Sequence, residues 1–452
     1  MQRSVSVALA LLIAAPAAAQ PKEPTTYDRA IAAGYKALTL CSGMFNGGRT
    51  QAQIEALELK GIYPQYDALL PTLKAEVSEL GVAVGFDAML PPRFAGWAPG
   101  RGCTIAPIGS TPPAHLVTLR EMPPSEKAVE PRWPQGDAGI TVRTPARLAA
   151  VAQRAFDEKS YGTGTTTGLV VVRNGRIIAE NYADGFGPKV SQRTWSVAKS
   201  LTGTLIGAAV QRGLLSADQK SGVPEWQTDG DPRRNITIDQ LLRMASGLHS
   251  ETAGNRTDAL YFGGTTVTQE VTAWPLDAMP GTRFRYANND IVLVMRALRA
   301  KAGDEVYATF PQTELFDKIG MTRTVAETDW QGNFILSSQV WSTARDLARF
   351  GLLYLNDGVW NDERILPEGW VKYVTTPSGP QPEGEFGYGA TFWLMSKSPG
   401  VPADTFAAFG NRGQYVVIVP SRKVVIVRRG EDPAGARFDI AQFTADVLAA
   451  LE

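Results

Sequence analysis

The chain has 452 residues, of which 44% are apolar and 20% are charged, the balance of a folded globular protein rather than a disordered one. Lys+Arg and Asp+Glu both number 45, so the formal net charge is zero, and without a basic excess we expect no nucleic-acid partner. The length exceeds that of one ordinary domain and favours two.

The first residues, MQRSVSVALALLIAAPAAAQ, have the features of a secretory signal peptide over residues 1–19. Arg3 provides the positive charge, residues 5–15 the apolar core and residues 17–19 an A-x-A cleavage site. The alternative is a membrane anchor, but about 11 apolar residues are too few to span a bilayer. We therefore expect cleavage after Ala19 and an exported protein, periplasmic or secreted, without a membrane span.

Residues 20–107 are predicted to form a small N-terminal α/β domain. Apolar residues at helical spacing indicate a helix over residues 26–40, and the alternation in VAVGF (residues 82–86) indicates a strand. A proline-dense stretch follows and predicts a linker over residues 108–143, because such density resists regular structure. Its prolines are at positions 112, 113, 123, 124, 131 and 134.

The chain contains two cysteines, Cys41 and Cys103, and both lie in this N-terminal part. In an oxidising compartment an even pair predicts one disulfide, which would close a loop of roughly 60 residues. The alternative is two buried free thiols. Export favours the disulfide.

Residues 144–452 are predicted to form the second domain. A helix starts at Thr144-Pro145, and the two apolar runs around Asn174-Gly175 indicate a tight hairpin. QYVVIVPSRKVVIVRRG, residues 414–430, indicates a second hairpin, and FDIAQFTADVLAALE indicates a closing helix. Strands drawn from both ends of the domain predict one antiparallel sheet flanked by helices, with a mainly helical middle over about 196–375. The fold class is α/β, of the α+β kind.

Ser196 and Lys199, in WSVAKSLTGTL, form the S-x-x-K pattern of an activated nucleophile. On a helix, two residues three positions apart lie on the same face. The residues that follow are apolar nearly all round, so the helix is predicted to be buried and the lysine pKa to fall. A desolvated lysine can take the proton of the serine. S-x-x-K also occurs by chance about once in a chain of this length, and here only the buried context favours function.

Two further motifs lie downstream. Tyr286 and Asn288 form a Y-x-N in which tyrosine can relay a proton and asparagine can bond both the lysine and a substrate. Gly410 and Gly413 precede the last hairpin and permit close approach of a substrate to a strand edge. An ordinary turn with a packed tyrosine, and simple turn chemistry, are the structural alternatives.

Together these motifs resemble the serine β-lactamase and penicillin-binding-protein superfamily, in particular its class C-like members. Ser196-Val-Ala-Lys199 is similar to the first motif, Tyr286-Ala-Asn288 to the second, and Ala408-Phe-Gly410 occupies the place of the third, usually K-T-G or H-x-G. WSVAKSLTGTL and AFGNRGQYVVIVP are most similar to the branch of esterases and 6-aminohexanoate-dimer hydrolases. The resemblance covers about residues 145–450.

The resemblance implies a role for each site residue. Ser196 is expected to be the nucleophile, Lys199 its base and Tyr286 the acid that protonates the leaving group. The backbone N–H groups of Ser196 and Asn411 are expected to form the oxyanion hole. The remaining residues expected to bind substrate are Asn288, Gly410 and Arg412.

The third motif departs from the family pattern, because Ala408 stands where a lysine or histidine is usual. That position normally helps to hold the carboxylate of a β-lactam, and Arg412 is a candidate to replace it. We therefore expect β-lactams to be poorer substrates than esters or linear amides.

We expect an exported serine hydrolase that cleaves small-molecule carboxylic esters or linear amides without cofactor or metal. Only His115 and His249 are present, and neither G-x-S-x-G nor H-E-x-x-H occurs, which argues against a Ser-His-Asp triad and a zinc site. The alternatives are a β-lactamase, a D-amino-acid peptidase acting on cell-wall peptides, or a non-catalytic penicillin-recognising module. The oligomeric state is not indicated by the sequence.

Overall fold

A computed structural model describes residues 23–111, 130–250 and 257–452. The predicted signal peptide lies outside these residues, as do His115 and residues 112–129 of the proline-dense stretch. Within the described ranges, no helix is both long enough and apolar enough to cross a membrane.

The N-terminal part combines one long helix with a small antiparallel sheet. A capping box between Thr25 and Asp28 starts the long helix, which packs on three of the strands. The predicted helix and strand are both present, and the strands pair in the order β1-β2-β3-β4. The helices are α1 (Thr26–Phe45), α2 (Gln51–Ala56) and α3 (Pro64–Asp67), and the strands are β1 (Ala75–Ser78), β2 (Gly81–Val84), β3 (Arg93–Ala98) and β4 (Gly102–Ile105).

The predicted disulfide is confirmed. Cys41 on α1 is bonded to Cys103 on β4, 62 positions later in the chain. The bridge therefore joins the helix directly to the last strand of the small sheet.

The second part is built on a seven-stranded antiparallel sheet in the order β12-β13-β14-β15-β16-β5-β6, which confirms a sheet drawn from both ends of this part. Short strands form a second sheet, β7-β9-β8, and a small pair, β10-β11. The strands are β5 (Thr166–Arg173), β6 (Arg176–Tyr182), β7 (Gln192–Arg193), β8 (Val325–Ala326), β9 (Val340–Ser342), β10 (Val359–Trp360), β11 (Glu363–Arg364), β12 (Gly387–Tyr388), β13 (Trp393–Leu394), β14 (Phe406–Gly410), β15 (Gln414–Val419) and β16 (Val424–Gly430).

Two sequence features explain how this sheet turns and pairs. Asn174 and Gly175 have φ angles of 50° and 74°, the left-handed values that a tight two-residue hairpin requires between β5 and β6. At the other hairpin, Val419 pairs with Val424, so β16 joins the C-terminal hairpin to β5.

Helices cover both faces of the large sheet, because its strands are apolar on both sides. Val417 and Ile426 belong to a core with α4 and α12, whereas their neighbours Val416 and Val425 belong to the core that contains α10. This mixed fold of an antiparallel sheet flanked by helices is the one predicted. The helices are α4 (Ala146–Arg154), α5 (Val197–Gln211), α6 (Ile238–Leu242), α7 (Val267–Glu270), α8 (Asn288–Ala302), α9 (Asp304–Pro311), α10 (Ala344–Leu355), α11 (Trp370–Thr375) and α12 (Ile440–Ala450).

The N-terminal elements pack directly against the second part. The rings of Tyr35 on α1 and Phe262 are 4.9 Å apart, and Ser42 Oγ donates a 2.6 Å hydrogen bond to Glu327 Oε1. One apolar core runs through both parts. The predicted boundaries at 107/108 and 143/144 stay predictions.

Candidate active site

Ser196 stands immediately before the first residue of α5, with φ −70° and ψ −3°. Trp195, the residue before it, has a φ of 50°, an uncommon value for a bulky side chain that packing must enforce. The first turns of α5 are buried on every side, as the apolar sequence predicted. The serine is thus held at the start of a fixed, buried helix.

Lys199 lies one turn after Ser196 and is almost wholly buried, with 1% of its surface exposed. Its Nζ is 3.0 Å from Ser196 Oγ, 2.6 Å from Asn288 Oδ1 and 2.9 Å from the Ser337 carbonyl oxygen. Asn288 begins α8, and its Nδ2 donates to Thr257 Oγ1 at 3.2 Å, which orients Oδ1 toward the lysine. Three of the predicted site residues therefore meet here.

The three oxygen neighbours of Lys199 suit both protonation states of the amine. An ammonium donates to all three, whereas a neutral amine has two N–H donors and one lone pair. The amide oxygen of Asn288 and the carbonyl oxygen of Ser337 can only accept hydrogen bonds, whereas the hydroxyl of Ser196 can also donate. With both N–H groups directed to the two acceptors, the lone pair is left for the serine hydroxyl. This is the arrangement that a general base needs.

The pKa of Lys199 matches this arrangement. Burial, with a smaller contribution from the positive charge of Arg193, lowers the pKa of Lys199 from 10.5 to about 7. Arg193 is held by Ser338, whose Oγ accepts a 2.9 Å hydrogen bond, and by the ring of Trp195, 3.8 Å away. A large share of the lysine is therefore neutral at physiological pH.

Tyr286 completes the group around the serine. Its hydroxyl faces the side chain of Ser196, and its ring centroid is 5.1 Å from Lys199 Nζ. The ring packs against Trp393 at 5.3 Å. Burial raises the pKa of Tyr286 above its usual value of 10, so the hydroxyl keeps its proton at neutral pH and can donate it.

Gly410, the last residue of β14, packs against the backbone of residues 194–196. A Cβ at this position would be 2.4 Å from the Thr194 carbonyl oxygen and 3.2 Å from the Ser196 nitrogen, so a side chain does not fit. Within the part of the chain that the structure describes, the backbone N–H groups of Ser196 and Asn411 have no backbone acceptor. Both are candidates to bind an oxyanion.

These residues open on a cavity of about 390 Å³. It brings together five of the predicted site residues, and no charged side chain is among the described residues of its wall. Six of the wall residues are aromatic, so the cavity suits a neutral substrate with apolar surface. The wall consists of Tyr63, Trp195, Ser196, Tyr261, Tyr286, Asn288, Ser338, Trp393, Phe409, Gly410 and Asn411.

The family model described as Beta-lactamase matches residues 153–450, more than half of the chain. The chain belongs to the beta-lactamase family. A 6-aminohexanoate-dimer hydrolase from Paenarthrobacter ureafaciens is 28% identical over 336 residues, which cover 66% of this chain and 82% of that protein. These findings confirm the predicted resemblance and identify a serine hydrolase of the β-lactamase superfamily.

Solved structures of this superfamily share the fold. A penicillin-binding protein homologue from Caulobacter crescentus superposes with a TM-score of 0.53 at 17% identity, covering 69% of this chain and 99% of that one. A class C β-lactamase gives a TM-score of 0.51 at 17% identity, covering 68% and 96%. At such low identity, these likenesses concern the fold alone.

The structure places neither Ala408 nor Arg412 as a cation in the cavity wall. Ala408 is wholly buried, and its side chain belongs to the apolar core. Arg412 does not reach the cavity wall: it pairs with Glu431 at 3.0 Å and donates to the carbonyl oxygens of Leu57 and Glu58. The structure corrects the expectation that Arg412 replaces the missing cation, because its donors are already bonded inside the protein.

Most of the aromatic wall was not predicted. Trp195 adjoins the nucleophile and could have been found from that position alone. Tyr63, Tyr261 and Trp393 come from distant parts of the chain, and no spacing in the sequence connects them to the S-x-x-K pattern. The lysine partner Ser337 carried no signal either, because it acts through its backbone carbonyl.

Proposed function

We propose that this hydrolase forms an acyl-enzyme on Ser196 and cleaves carboxylic esters or linear amides of neutral small molecules. One observation carries the proposal: a lysine with a pKa of about 7 lies 3.0 Å from the serine hydroxyl, in an aromatic cavity whose described wall is uncharged. Lys199 can therefore be neutral at the pH where the enzyme works, and an activated serine faces space for a substrate.

The reaction proceeds in two stages. Ser196 Oγ attacks the carbonyl carbon while Lys199 Nζ takes the hydroxyl proton, and the backbone N–H groups of Ser196 and Asn411 bind the oxyanion. The bond to the leaving group breaks as Tyr286 donates its proton to the departing oxygen or nitrogen, and the protonated lysine returns a proton to the tyrosine. Water then attacks the acyl-enzyme by the same route in reverse and releases the acid.

The substrate class follows from the cavity and from the lost cation of the third motif. A charge-assisted hydrogen bond to a substrate carboxylate is worth roughly 1.5–3 kcal/mol, or about tenfold to a hundredfold in binding. Ala408 provides no such bond, and Arg412 is bonded elsewhere. Esters and linear amides do not need it. The relative from Paenarthrobacter ureafaciens is named 6-aminohexanoate-dimer hydrolase, and because the amino group of one such unit joins the carboxyl group of the next as an amide, this name supports the amide part of the proposal.

We also propose that the protein is exported to the periplasm or secreted. The charged, apolar and small-residue regions of residues 1–19 support this, and the disulfide is compatible with an oxidising compartment.

The test compares four proteins on three substrates. Wild type, Ser196→Ala, Lys199→Ala and Tyr286→Phe are assayed for kcat/KM on a p-nitrophenyl ester, a linear amide with the same acyl group, and nitrocefin. We expect the ester to be the best substrate and both alanine variants to lose turnover by several orders of magnitude, because nucleophile and base act as a unit. Tyr286→Phe is expected to damage amide turnover far more than ester turnover, because an amine leaves only once it is protonated.

Each arm has its own contradicting result. Nitrocefin as the best substrate would overturn the substrate class, and near-native turnover by Lys199→Ala would remove the lysine as base. Equal losses of ester and amide turnover in Tyr286→Phe would remove the tyrosine as acid. Labelling of wild type but not Ser196→Ala by a fluorophosphonate checks the nucleophile separately.

A further inference from the structure

The N-terminal part of the chain supplies one wall residue of the active-site cavity. Tyr63, immediately before α3, is in the cavity wall together with Ser196. Its ring is held from behind by Tyr35 at 5.0 Å and by Phe262 at 5.6 Å, both edge to face. The N-terminal part therefore shapes the place where a substrate binds.

The segment that carries Tyr63, residues 57–63, is tied to the hydrolase part by backbone hydrogen bonds. Arg412 Nη1 donates to the Glu58 carbonyl oxygen at 3.0 Å, and Nη2 donates to that of Leu57 at 3.1 Å. Further along, Ala434 N donates to the Gly61 carbonyl oxygen at 2.6 Å. These hydrogen bonds hold the residues that precede Tyr63 in the chain. They therefore fix the position of Tyr63 relative to Ser196.

The hydroxyl of Tyr63 differs from those of its neighbours. Tyr35 donates to the Glu58 carbonyl oxygen at 3.1 Å, and Tyr66 donates to Asp258 Oδ2 at 3.1 Å. Across the described ranges of the chain, the Tyr63 hydroxyl makes no hydrogen bond to the protein, and its ring is partly buried in an aromatic cluster. A hydroxyl in a cavity wall that has no protein partner can bond to water or to a polar group of a bound substrate, so a substrate can provide the partner here.

The aromatic rings of the cavity wall form two groups, one around Tyr286 and one around Tyr63. Their positions indicate which part of the substrate contacts Tyr63. Tyr286, the proposed acid of the leaving group, packs on Trp393. Tyr63 packs on Phe262, whose ring is 6.0 Å from that of Tyr261. If the leaving group departs along the Tyr286 side, the wall that contains Tyr63 is left for the acyl part.

We propose that Tyr63 is a specificity-determining residue, whose hydroxyl hydrogen-bonds a neutral polar group in the acyl part of the substrate, such as a secondary amide separated from the scissile carbonyl by a short apolar chain. This inference rests on the proposed acyl-enzyme at Ser196. It gives the N-terminal part a function in substrate selection, beyond its contribution to the core.

The test uses two esters with the same leaving group and chain length, p-nitrophenyl 4-acetamidobutyrate and p-nitrophenyl heptanoate. Tyr63→Phe keeps the ring and removes only the hydroxyl. We expect kcat/KM for the acetamido ester to fall about threefold to tenfold, the range of one neutral hydrogen bond, mainly through a higher KM. For the heptanoate, whose acyl chain has no polar group, we expect a smaller change, so the ratio of the two kcat/KM values falls.

Tyr66→Phe is the matched control, because it also loses one tyrosine hydroxyl in the same cluster but lies outside the cavity wall. It should leave the ratio between the two esters unchanged. Equal effects of Tyr63→Phe on both esters, or none on either, would overturn the role of Tyr63 while leaving the proposed function standing. Failure of wild type to outperform Ser196→Ala on either ester would instead overturn the proposed function, and this inference with it.

Discussion

Lys199 can act as a base only because its surroundings favour the neutral amine. A free lysine has a pKa near 10.4 and is almost wholly protonated at neutral pH. In this protein, burial removes the water that stabilises the ammonium, and the guanidinium of Arg193 adds electrostatic repulsion. The side-chain oxygen of Asn288 and the carbonyl oxygen of Ser337 accept hydrogen bonds from the lysine but carry no formal charge. Neither is a carboxylate, which would stabilise the ammonium and raise the pKa again.

The pH dependence of the reaction should report this lysine. We expect kcat/KM for a p-nitrophenyl ester to rise with pH and to be half-maximal near pH 7, because only the neutral form of Lys199 can accept the serine proton. In Arg193→Gln one positive charge is lost, so protonation of the lysine becomes easier, its pKa rises, and the half-maximal point moves to higher pH. Initial rates from about pH 5 to 9 measure both curves.

Arg193→Lys is the control for this experiment, because it keeps the charge while changing the contacts of the side chain with Trp195 and Ser338. Its curve should stay near that of wild type. A curve for Arg193→Gln that coincides with wild type, or lies at lower pH, would contradict the electrostatic contribution of Arg193.

At the scale of helices and strands, local sequence patterns predicted the elements that form the two hairpins of the large sheet and the helix of the S-x-x-K pattern. Asn174-Gly175 requires left-handed backbone angles and therefore specified its hairpin, and the apolar runs in strands 414–419 and 424–430 bury both faces of a continuous sheet. The position of Ser196 at the start of a buried helix followed from the apolar residues after it. These features depend on neighbours within a few positions, so the sequence displays them directly.

The features that escaped prediction depend on residues far apart in the chain. Arg412 looked available for a substrate because it follows the third motif, but its ion-pair partner Glu431 and its acceptors at Leu57 and Glu58 lie 19 to 355 positions away. Tyr63 reaches the cavity only because the N-terminal part docks on the hydrolase part. Such placements result from tertiary packing, which no local pattern encodes.

The loop after β14 is predicted to depend on Arg412 for its stability. The Arg412–Glu431 pair is buried, with 3% of each side chain exposed. Arg412→Met leaves the carboxylate without its partner and the carbonyl oxygens of Leu57 and Glu58 without a donor, and we expect a loss of about 3–5 kcal/mol in the free energy of unfolding. Urea unfolding followed by tryptophan fluorescence measures it.

Arg422→Met provides the comparison, because Arg422 pairs with Glu452 on the surface, where 45% and 60% of the two side chains are exposed. An exposed pair contributes less than about 1 kcal/mol. If the two variants lose similar amounts of unfolding free energy, the buried pair does not contribute more to stability than an exposed pair.

On the scale of the whole molecule, the N-terminal part and the hydrolase part share a core and a cavity. Ser42 Oγ, Asn46 Nδ2 and the Cys103 backbone N–H all donate to Oε1 of Glu327, which lies next to β8 in the second part. Cys103 is bonded to Cys41, and Ser42 and Asn46 follow Cys41 on α1. The Glu327 carboxyl therefore binds residues at or near both ends of the loop that the disulfide closes. Segment 57–63, which contains Tyr63, lies inside the same loop.

Removing the disulfide should therefore lower stability and loosen one wall of the cavity. The bridge closes a loop of 62 positions, and the chain-entropy model gives a loss of about 4 kcal/mol in the free energy of unfolding for a Cys41→Ser/Cys103→Ser double variant. Ser196 and Lys199 lie outside the loop, so a fluorophosphonate should still label the folded variant. KM for the acetamido ester should rise, because Tyr63 is held less firmly.

Urea unfolding with and without reductant measures the stability, and reductant should destabilise wild type but not the double variant. An unfolding midpoint of wild type that does not respond to full reduction would show that the bridge contributes nothing to the fold.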